Sequence, residues 1–503
     1  MAKTFNEWFK GLSPGRVDLT LACLFGAAHV AYYALGIRFD DTPLLWFWQY
    51  LDPELLRHKL LESVFYMHSQ PPLFNLFLGA VLKIPGGGER YIFQGVYVAA
   101  GLALYVSLFW LQVKLGVSRA VALAASTVFM LSPSFVLYEH WLFYTFPVAA
   151  LITLSALSFY ELISARRARA AVAFFATLFL ICGLRHIFHL AYYAVVAAAL
   201  TAWCAGARKR VLWAAAVPFA VLFSFYAKNY FLFGQFAASS WSGMYLWEMT
   251  GYFLTAEERK ALEADGKLSP VTAAPTFSEL NRYPAAFVAA TRFDGVDALT
   301  QVNKSTGPNN YNNFAYVAIS KAYWKDALAV MRYRPRAYLR GLLRSWFMYF
   351  RSSSDYASGV QFLDETGNQS RISFVDRFYA YFFYGKVPLG PPLTTILARF
   401  DFKCPPYAYL ALVIWLPVLA YYGLRLAFKR GAAAAAGLSR PQRLTTLYIC
   451  VTVIYVALAA TLFNWAESNR MRFSSDPLYV VLLGLFVQHF IIRNVRSSLA
   501  RRP

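Results

Sequence analysis

The sequence has few charged residues, and few of those are acidic. Only 15% of its 503 residues are Asp, Glu, Lys or Arg, whereas 58% are hydrophobic and 18% are aromatic. The mean hydropathy is +0.42. A soluble globular protein needs a larger polar surface than this composition supplies, so a soluble fold is excluded. The composition instead predicts an all-α polytopic membrane protein.

Cysteine is also scarce and irregularly spaced. The chain has five cysteines, which are Cys23, Cys182, Cys204, Cys404 and Cys450. Their spacing excludes a disulfide framework and a cysteine-based metal site. The first residues, MAKTFNEWFKGLSPGR, contain neither the apolar core nor the cleavage site of a signal peptide. We therefore expect the first long apolar run to remain in the membrane as a span.

Acidic residues are outnumbered by basic ones. The 26 Asp and Glu residues face 48 Lys and Arg residues, which gives a formal net charge of +22. The basic residues stand in short clusters between apolar runs, such as SARRARA and GARKR, and do not follow one face of an element. Such clusters are typical of cytoplasmic loops, and they argue against nucleic acid as a partner.

Apolar runs and basic loops together predict the topology. Each span needs about 17 to 25 apolar residues. Ten predicted spans lie near residues 17–37, 91–113, 119–135, 142–163, 170–184, 186–204, 210–233, 405–428, 445–463 and 477–492. We therefore predict an N-terminal transmembrane module at 1–233 with an outer loop at 38–90, a mixed extracytoplasmic domain at 234–404, and C-terminal transmembrane helices at 405–503.

Two stretches of the predicted extracytoplasmic domain carry helix signals. In TAEERKALEADG, Thr255 and Glu258 have the spacing of a capping box, which predicts the start of a helix. In RPRAYLRGLLRSWFMYFR, helical periodicity places arginines on one face and apolar side chains on the other, namely Arg336, Arg340, Arg344 and Arg351 opposite Leu339, Leu342, Trp346 and Phe350. This pattern predicts a helix that lies in the membrane interface.

Ionisable residues gather at the predicted outer ends of the spans. They are Asp40, Asp41, His68, Glu139, His140, Arg185, His186, His189, Lys228, Glu467, Arg470 and Arg472. Ionisable groups at membrane depth are costly without partners, so their convergence predicts a functional site. Each one can also serve a turn or an interface. Asp40 or Asp41, for example, can cap the amphipathic segment TPLLWFWQYLDPELLRHKLLES.

A carboxylate among cations at the outer membrane face suits glycosyl transfer from a lipid-linked sugar phosphate. The phosphate is already a good leaving group, so no carboxylic acid must protonate it, unlike the pair in a glycosidase. One base takes the proton of the acceptor hydroxyl, and Arg and Lys stabilise the charge that develops on the phosphate. The lipid tail of the donor explains why such an enzyme is embedded in the membrane.

Four stretches of the chain resemble the type C (GT-C) glycosyltransferases, specifically the bacterial membrane enzymes related to protein O-mannosyltransferases and aminoarabinose transferases. They are FDDTPLL, HSQPPLFNLFLGA, AKNYFLFGQFAASSWSGMYL and ESNRMRFSSDPLYVVLLG, in the order of that family. The resemblance implies a GT-C fold of about ten or more transmembrane helices with juxtamembrane helices. It further implies an inverting glycosyltransferase that uses a polyprenyl-phosphate-linked sugar at the periplasmic face of a bacterial inner membrane.

The resemblance also implies roles for particular residues. Asp40 matches the catalytic base, and Asp41 stands in the place of a glutamate. The predicted ligands of the donor phosphate are Arg185, Lys228, Arg470 and Arg472. The predicted substrate contacts are His68, Glu139, His140, His186 and Glu467. Thr145 stands where many relatives carry an acid, and Lys228 replaces an arginine, so a point charge takes the place of a bidentate fork.

Other interpretations of the same residues stay open. A divalent metal ion held by Asp40, Asp41 and His68 is chemically reasonable, although the spacing does not demand it. The protein could instead be a lipid-linked sugar transporter or flippase, or a non-catalytic partner in envelope-glycan assembly. Charges at one face and a large polar domain favour the enzyme over the transporter. The acceptor is a hydroxyl of a lipid, a glycan or a protein, and the sequence does not distinguish these.

Overall fold

The computed structural model describes residues 11–288, 292–355, 366–391, 395, 407–428 and 437–492. Within these ranges the secondary structure is almost entirely helical. The described strands are Lys386–Pro388 and Tyr407–Tyr409, which pair antiparallel. The all-α prediction is therefore confirmed. The boundary predicted between residues 404 and 405 and the basic tail at 493–503 lie outside the described residues.

Six helices in the described ranges are long and apolar enough to cross a membrane. They are Pro14–Ala34, Glu89–Lys114, Thr145–Ala165, Arg208–Phe233, Leu410–Phe428 and Arg440–Phe463. A further apolar stretch is bent by 59° between Arg119–Met130 and Pro133–Glu139, and Ser132 caps its second helix. These helices support an integral membrane protein with six spans, or seven if the bent pair crosses as one.

Three predicted spans correspond to shorter helices, so the expectation of ten spans is not supported. These helices are Ala168–Leu184, Leu190–Trp203 and Asp476–Phe486, the last continuing as the wider turn Val487–Ile492. At a rise of about 1.5 Å per residue, such helices fall short of a hydrocarbon core about 30 Å thick. The span predicted at 186–204 begins four residues before its helix Leu190–Trp203, because the turn that precedes this helix is apolar too. Ile187 and Phe188, for example, are buried in a turn.

The transmembrane helices pack around one central helix. Polar side chains of neighbouring helices contact each other inside the bundle, because few other hydrogen-bond partners are present there. The Tyr448 hydroxyl, for example, lies 2.9 Å from Ser155 Oγ. The Tyr448 ring also stacks on Phe159 with centroids 4.6 Å apart. The central helix is Thr145–Ala165, and it packs against Glu89–Lys114, Ala168–Leu184 and Arg440–Phe463.

The predicted extracytoplasmic domain contains a hydrophobic core of its own. Large buried side chains fill it, among them Trp241, Trp247, Tyr316 and Tyr323. The predicted capping box is confirmed, because the Thr255 hydroxyl accepts from the Glu258 amide and the Glu258 carboxylate accepts from the Thr255 amide. The longer helices of this region are Ser242–Thr250, Ala256–Ala264, Ala315–Tyr333 and Pro335–Tyr349.

The arginine-rich helix exists, but its faces differ from the prediction. The helix ends at Tyr349, so Arg351 lies beyond it and pairs with Asp355. The small residue Gly341 faces the protein, whereas Leu339 is 55% exposed. Close packing against the domain selects small side chains on the inner face and leaves leucines outside. An outward leucine face is compatible with a helix on a membrane surface.

The amphipathic segment after the first span forms several short helices and not a single one. Proline interrupts it, because it lacks the amide that a continuing helix requires. The resulting pieces are Pro43–Trp46, Pro53–His58 and Leu60–Phe65. Asp52, and neither Asp40 nor Asp41, caps the second piece by accepting from the Glu54 amide at 3.0 Å. The predicted juxtamembrane helix after the two prolines is Leu73–Leu82.

Short elements complete the described chain. The remaining short α-helices are Ala285–Val288, Asp297–Thr300, Asn368–Arg371, Ser373–Phe378 and Ser468–Phe473. The 3-10 turns are Ala205–Ala207, Gly251–Phe253, Pro270–Ala273 and Leu280–Arg282, and one wider helical turn covers Tyr379–Phe383. Ser468–Phe473 contributes to the site described below.

The packing of the helices Ser242–Thr250 and Ala315–Tyr333 depends on Gly243. A Cβ atom at this position would lie 1.8 Å from the Ser320 carbonyl oxygen, which belongs to the facing helix. We expect Gly243→Ala to lower the free energy of unfolding by about 1–3 kcal/mol, because the two backbones must separate. Thermal unfolding in detergent measures the effect. Gly95→Ala is the control, since no atom lies within 4 Å of its Cβ position. Equal melting temperatures for the two variants would contradict the prediction.

Candidate functional site

Residues 140–145, between the bent helix and the central helix, form the backbone of the site. The Asp40 amide donates to the His140 carbonyl at 2.7 Å, and the Leu142 amide donates to the Asp40 carbonyl at 2.9 Å. Asp40 and Trp141 thus form a parallel bridge between two segments that lie far apart in the sequence. This pairing holds the Asp40 backbone in one register against residues 140–142.

The two adjacent carboxylates have unequal environments. Asp40 is only 3% exposed, and its Oδ1 accepts from the Thr42 amide at 3.0 Å and from the Thr42 hydroxyl at 2.7 Å. Asp41 is partly exposed, and its carboxylate lies 3.7 Å from Arg90 Nε. The orientation of the Asp40 carboxylate is therefore held from within the protein, whereas Asp41 belongs to a surface ion pair.

Arg470 lies against the same segment at Phe143, two residues beyond the Asp40–Trp141 bridge. Its guanidinium carbon is 4.8 Å from the centre of the Phe143 ring, and Nη1 donates to Thr145 Oγ1 at 3.4 Å. Arg470 also forms an ion pair with Glu467. Thr145 thus contacts a cation. Residues 140–145 therefore contact both Asp40, the predicted base, and Arg470 of the predicted Glu467 and Arg470 motif.

Arg185 adds a second buried guanidinium. It is 1% exposed, lies 5.7 Å above the Tyr144 ring, and donates from Nη1 to Ser474 Oγ at 2.5 Å. Its Nε and Nη2 atoms are buried and have no hydrogen-bond partner among the described residues. Burial lowers the pKa of Arg185 to about 10, and nearby Arg470 adds to the effect. Arg185 therefore stays protonated at neutral pH. We refer to Arg185, Arg470 and Glu467 as the arginine cluster.

A rim of polar and aromatic residues adjoins the arginine cluster. His186 Nδ1 lies 3.1 Å from Gln70 Oε1, and its ring stacks on Tyr245 with centroids 6.1 Å apart. Glu248 accepts from the Thr276 hydroxyl at 2.6 Å. Burial, together with the charge of Glu467, raises the pKa of Glu248 to about 7. No sequence motif pointed to Glu248, because its helix carries no other charged residue.

Lys228 and His68 lie together at another place. Lys228 Nζ donates to the carbonyls of Phe65 and Met67 at 2.8 and 2.7 Å. His68 Nδ1 lies 2.7 Å from Ser240 Oγ, and burial together with nearby Lys228 lowers the pKa of His68 to about 3. These contacts hold the chain that follows residue 65, so we leave both residues out of the anion site proposed below.

Arg472 also has internal partners. Its Nε donates to Asp476 at 2.9 Å, Nη2 donates to Ser353 Oγ at 2.9 Å, and Nη1 donates to the Tyr349 carbonyl. Its interaction with Asp476 raises the pKa of Arg472 despite burial. Nη1 and Nη2 thus join the last helical region to residues 349–353, while Nε bonds within that region. Arg472 acts as a cross-link and is likewise left out of the anion site.

The predicted metal ligands Asp40, Asp41 and His68 do not come together. In the part of the chain that the structure describes, the group of possible metal ligands is His29, Glu139 and His140. The three predicted ligands do not assemble because Asp41 pairs with Arg90, and His68 is buried against Ser240. His29 was missed because a single histidine in an apolar run carries no pattern that distinguishes it from a packed side chain.

The structure also contains an open cleft. It has a volume of about 390 Å³ and is lined by Trp48, Asn281, Asn303, Asn309 and Tyr311, among others. An aromatic path leads from the cleft toward the arginine cluster. The Phe277 ring contacts Trp48 and Tyr245 at 5.3 and 5.4 Å, and Tyr245 stacks on His186.

Comparison with known proteins identifies no relative of the chain. No protein-family model matches it, and neither a curated protein nor a solved structure does. What the site can do is therefore argued from its own geometry.

Glu248 predicts a pH dependence of stability. Because its pKa is about 7 in the folded protein and 4.5 for an ordinary glutamate, the folded state binds its proton more tightly than the unfolded chain does. The resulting stabilisation is fully present below pH 4.5 and is lost as the pH rises through about 7. We therefore expect the melting temperature of Glu248→Gln in detergent to change less than that of wild type across this range.

Glu257→Gln is the matched control, since Glu257 is exposed on a helix of the same domain. Its melting temperature should follow the wild-type pH profile. If Glu248→Gln also followed that profile, the titration of Glu248 would not influence stability, and the prediction would be wrong.

Proposed function

We propose that the protein is an inverting membrane glycosyltransferase of the GT-C type. It transfers a sugar from a polyprenyl-phosphate-linked donor to a hydroxyl of an envelope lipid, glycan or protein, at the periplasmic face of a bacterial inner membrane. The observation that carries the proposal is Arg185, a buried guanidinium with two nitrogens that lack partners among the described residues. The four sequence stretches that resemble GT-C enzymes supply the reaction class.

The charge balance of the arginine cluster favours an anionic ligand. Glu467 compensates the charge of Arg470, but the described hydrogen-bond partner of Arg185 is the neutral hydroxyl of Ser474. A buried cation without a counter-ion is costly, so an anion would complete the site. Nε and Nη2 lie along one edge of the guanidinium plane, and that edge can bind two phosphate oxygens side by side.

Asp40 would act as the base in a single displacement. Its carboxylate takes the proton of the acceptor hydroxyl, the hydroxyl oxygen bonds to the anomeric carbon, and the bond from that carbon to the phosphate oxygen breaks. The electron pair leaves with the phosphate, whose charge Arg185 and Arg470 stabilise. Residues 140–145 support both groups, since Asp40 pairs with Trp141 while the two arginines lie on Tyr144 and Phe143.

The acceptor would enter from the open cleft. Aromatic faces and amide groups line it, and sugars stack on the former and donate hydrogen bonds to the latter. The aromatic path through Phe277 and Tyr245 ends beside His186, so His186 is the predicted substrate contact that adjoins the arginine cluster, to which Glu467 itself belongs. Asp41 would support the adjacent loop through Arg90.

Asp40→Asn tests the base. The amide oxygen keeps an acceptor for Thr42 but cannot take a proton, so we expect transfer of radiolabelled sugar from polyprenyl-phosphate donors to membrane extract to fall by about 10²–10⁴-fold. Donor binding should remain. Asp265→Asn, at an exposed position in the extracytoplasmic domain, should transfer at the wild-type rate. Equal transfer by Asp40→Asn and wild type would exclude Asp40 as the base.

Arg185→Gln tests the phosphate contact. We expect the affinity for the polyprenyl-phosphate donor to fall about tenfold or more, because a charge-assisted bidentate contact is lost. Arg185→Lys should recover only part of it, since lysine presents a point charge. Binding of a fluorescent polyprenyl phosphate measures the effect, with the exposed Arg282→Gln as control. Unchanged affinity in Arg185→Gln, or no transfer from any donor by wild type, would count against the proposed enzyme and favour a transporter.

A further inference from the structure

We propose a second site in this protein, a zinc site formed by His29, Glu139 and His140. One ligand atom from each residue lies within 4.8 Å of the other two. His29 Nε2 is 3.1 Å from Glu139 Oε2. The site is separate from the arginine cluster, and its existence does not depend on glycosyl transfer.

Two elements that are distant in the sequence build this site. His29 lies in the last two turns of the helix Pro14–Ala34, while Glu139 ends the helix Pro133–Glu139 and His140 follows it. The two imidazole rings are stacked, with centroids 5.9 Å apart and an angle of 27° between their planes. The fold therefore brings the three side chains together from two distant parts of the chain.

Both imidazoles are held as a metal-bound histidine would be. His29 Nδ1 lies 3.0 Å from the Phe25 carbonyl oxygen, and His140 Nδ1 lies 2.9 Å from the Val136 carbonyl oxygen. A carbonyl only accepts, so Nδ1 carries the proton in each ring. In a neutral imidazole the lone pair is then on Nε2. An Nδ1–H bond to a backbone carbonyl is the usual way of orienting a histidine ligand.

In that tautomer the Glu139 carboxylate has no donor, although its Oε2 lies 3.1 Å from His29 Nε2. Both oxygens of Glu139 are buried, and neither has a hydrogen bond of acceptable geometry among the described residues. Gly101 packs directly against it, since a Cβ atom there would lie 1.8 Å from Oε1. Glu139 thus has no room to turn toward that side. A buried carboxylate without donors is costly.

The short contact between His29 and Glu139 indicates what neutralises the Glu139 carboxylate. In the tautomer described above, the lone pair of His29 Nε2 faces a carboxylate oxygen, and two such groups repel each other. Either a second proton on His29 or a cation between the groups removes the repulsion. A proton shared by His29 and Glu139 would leave the presence of His140 unexplained, whereas a cation can bind all three side chains. The geometry therefore favours a metal ion.

The chemistry of the ligands selects the metal. Two imidazoles and one carboxylate suit Zn²⁺, which takes such a set with a fourth position left for water. Mg²⁺ and Ca²⁺ prefer oxygen ligands throughout, so they fit this set poorly. The ion would join the first transmembrane helix to the segment that pairs with Asp40. The His140 carbonyl belongs to that segment and accepts a hydrogen bond from the Asp40 amide.

Metal analysis of the purified full-length protein tests the proposal. The protein in detergent is stripped with a chelator, incubated with ZnCl₂, desalted, and measured by inductively coupled plasma mass spectrometry. We expect about one zinc per chain, and X-ray absorption showing nitrogen and oxygen ligands at about 2.0–2.2 Å without sulfur. The melting temperature should rise on reloading, since a ligand that binds only the folded state stabilises it.

Variants then assign the zinc to these residues. His29→Gln and Glu139→Gln should lose the bound zinc and the zinc-dependent rise in melting temperature. His58→Gln is the matched control, since His58 is exposed beside Glu54 and lies outside the group. If a variant fails to fold, the stoichiometry and X-ray absorption spectrum of wild type still decide.

Two results would overturn the proposal. Wild type that takes up no zinc would mean that a protonated His29 pairs with Glu139. Equal zinc uptake by His29→Gln, Glu139→Gln and wild type would place the metal elsewhere. Asp40→Asn separates this inference from the proposed function, because it should lose transfer but still bind zinc.

Discussion

The backbone pairing between Asp40 and residues 140–142 is the constraint on which the rest of the site depends. Two hydrogen bonds set the register of a loop against a buried segment that lies about a hundred residues later in the chain. That segment then supports the arginines through Phe143 and Tyr144, and it follows directly on Glu139 and His140. A shift of one residue in this pairing would move the carboxylate, the cations and the imidazoles relative to one another.

Burial without compensation distinguishes the functional candidates from the structural ones. Arg472 and Lys228 have internal acceptors for their donors, so their charges stabilise the fold. Arg185 and Glu139 instead leave buried polar atoms without partners in the described chain. One of them lacks an anion and the other lacks a cation. The proposed phosphate site follows from the unsatisfied atoms of Arg185, and the proposed zinc site follows from those of Glu139.

The sequence predicted correctly the features that depend on neighbouring residues. It did not predict those that depend on contacts between distant residues. The long apolar runs, the capping box at Thr255 and the helix after the paired prolines all follow from contacts within a few residues. Ten spans were predicted where six or seven helices have the required length, because apolar turns such as the one at Ile187 extend a hydropathy window past the helix end. Proline at 43 and 53 was visible in the sequence, but its effect on the amphipathic segment was underestimated.

The sequence by itself determined that this is a helical membrane protein with ionisable residues at the ends of its apolar runs. It also separated Asp40 from ordinary surface acids by its position after the first span. Only the tertiary structure decided which groups meet. Arg470 contacts Thr145 across 325 positions of sequence, and His29 meets Glu139 from another helix. Electrostatic pairing depends on distances between side chains in space, and the order of residues along the chain does not specify those distances.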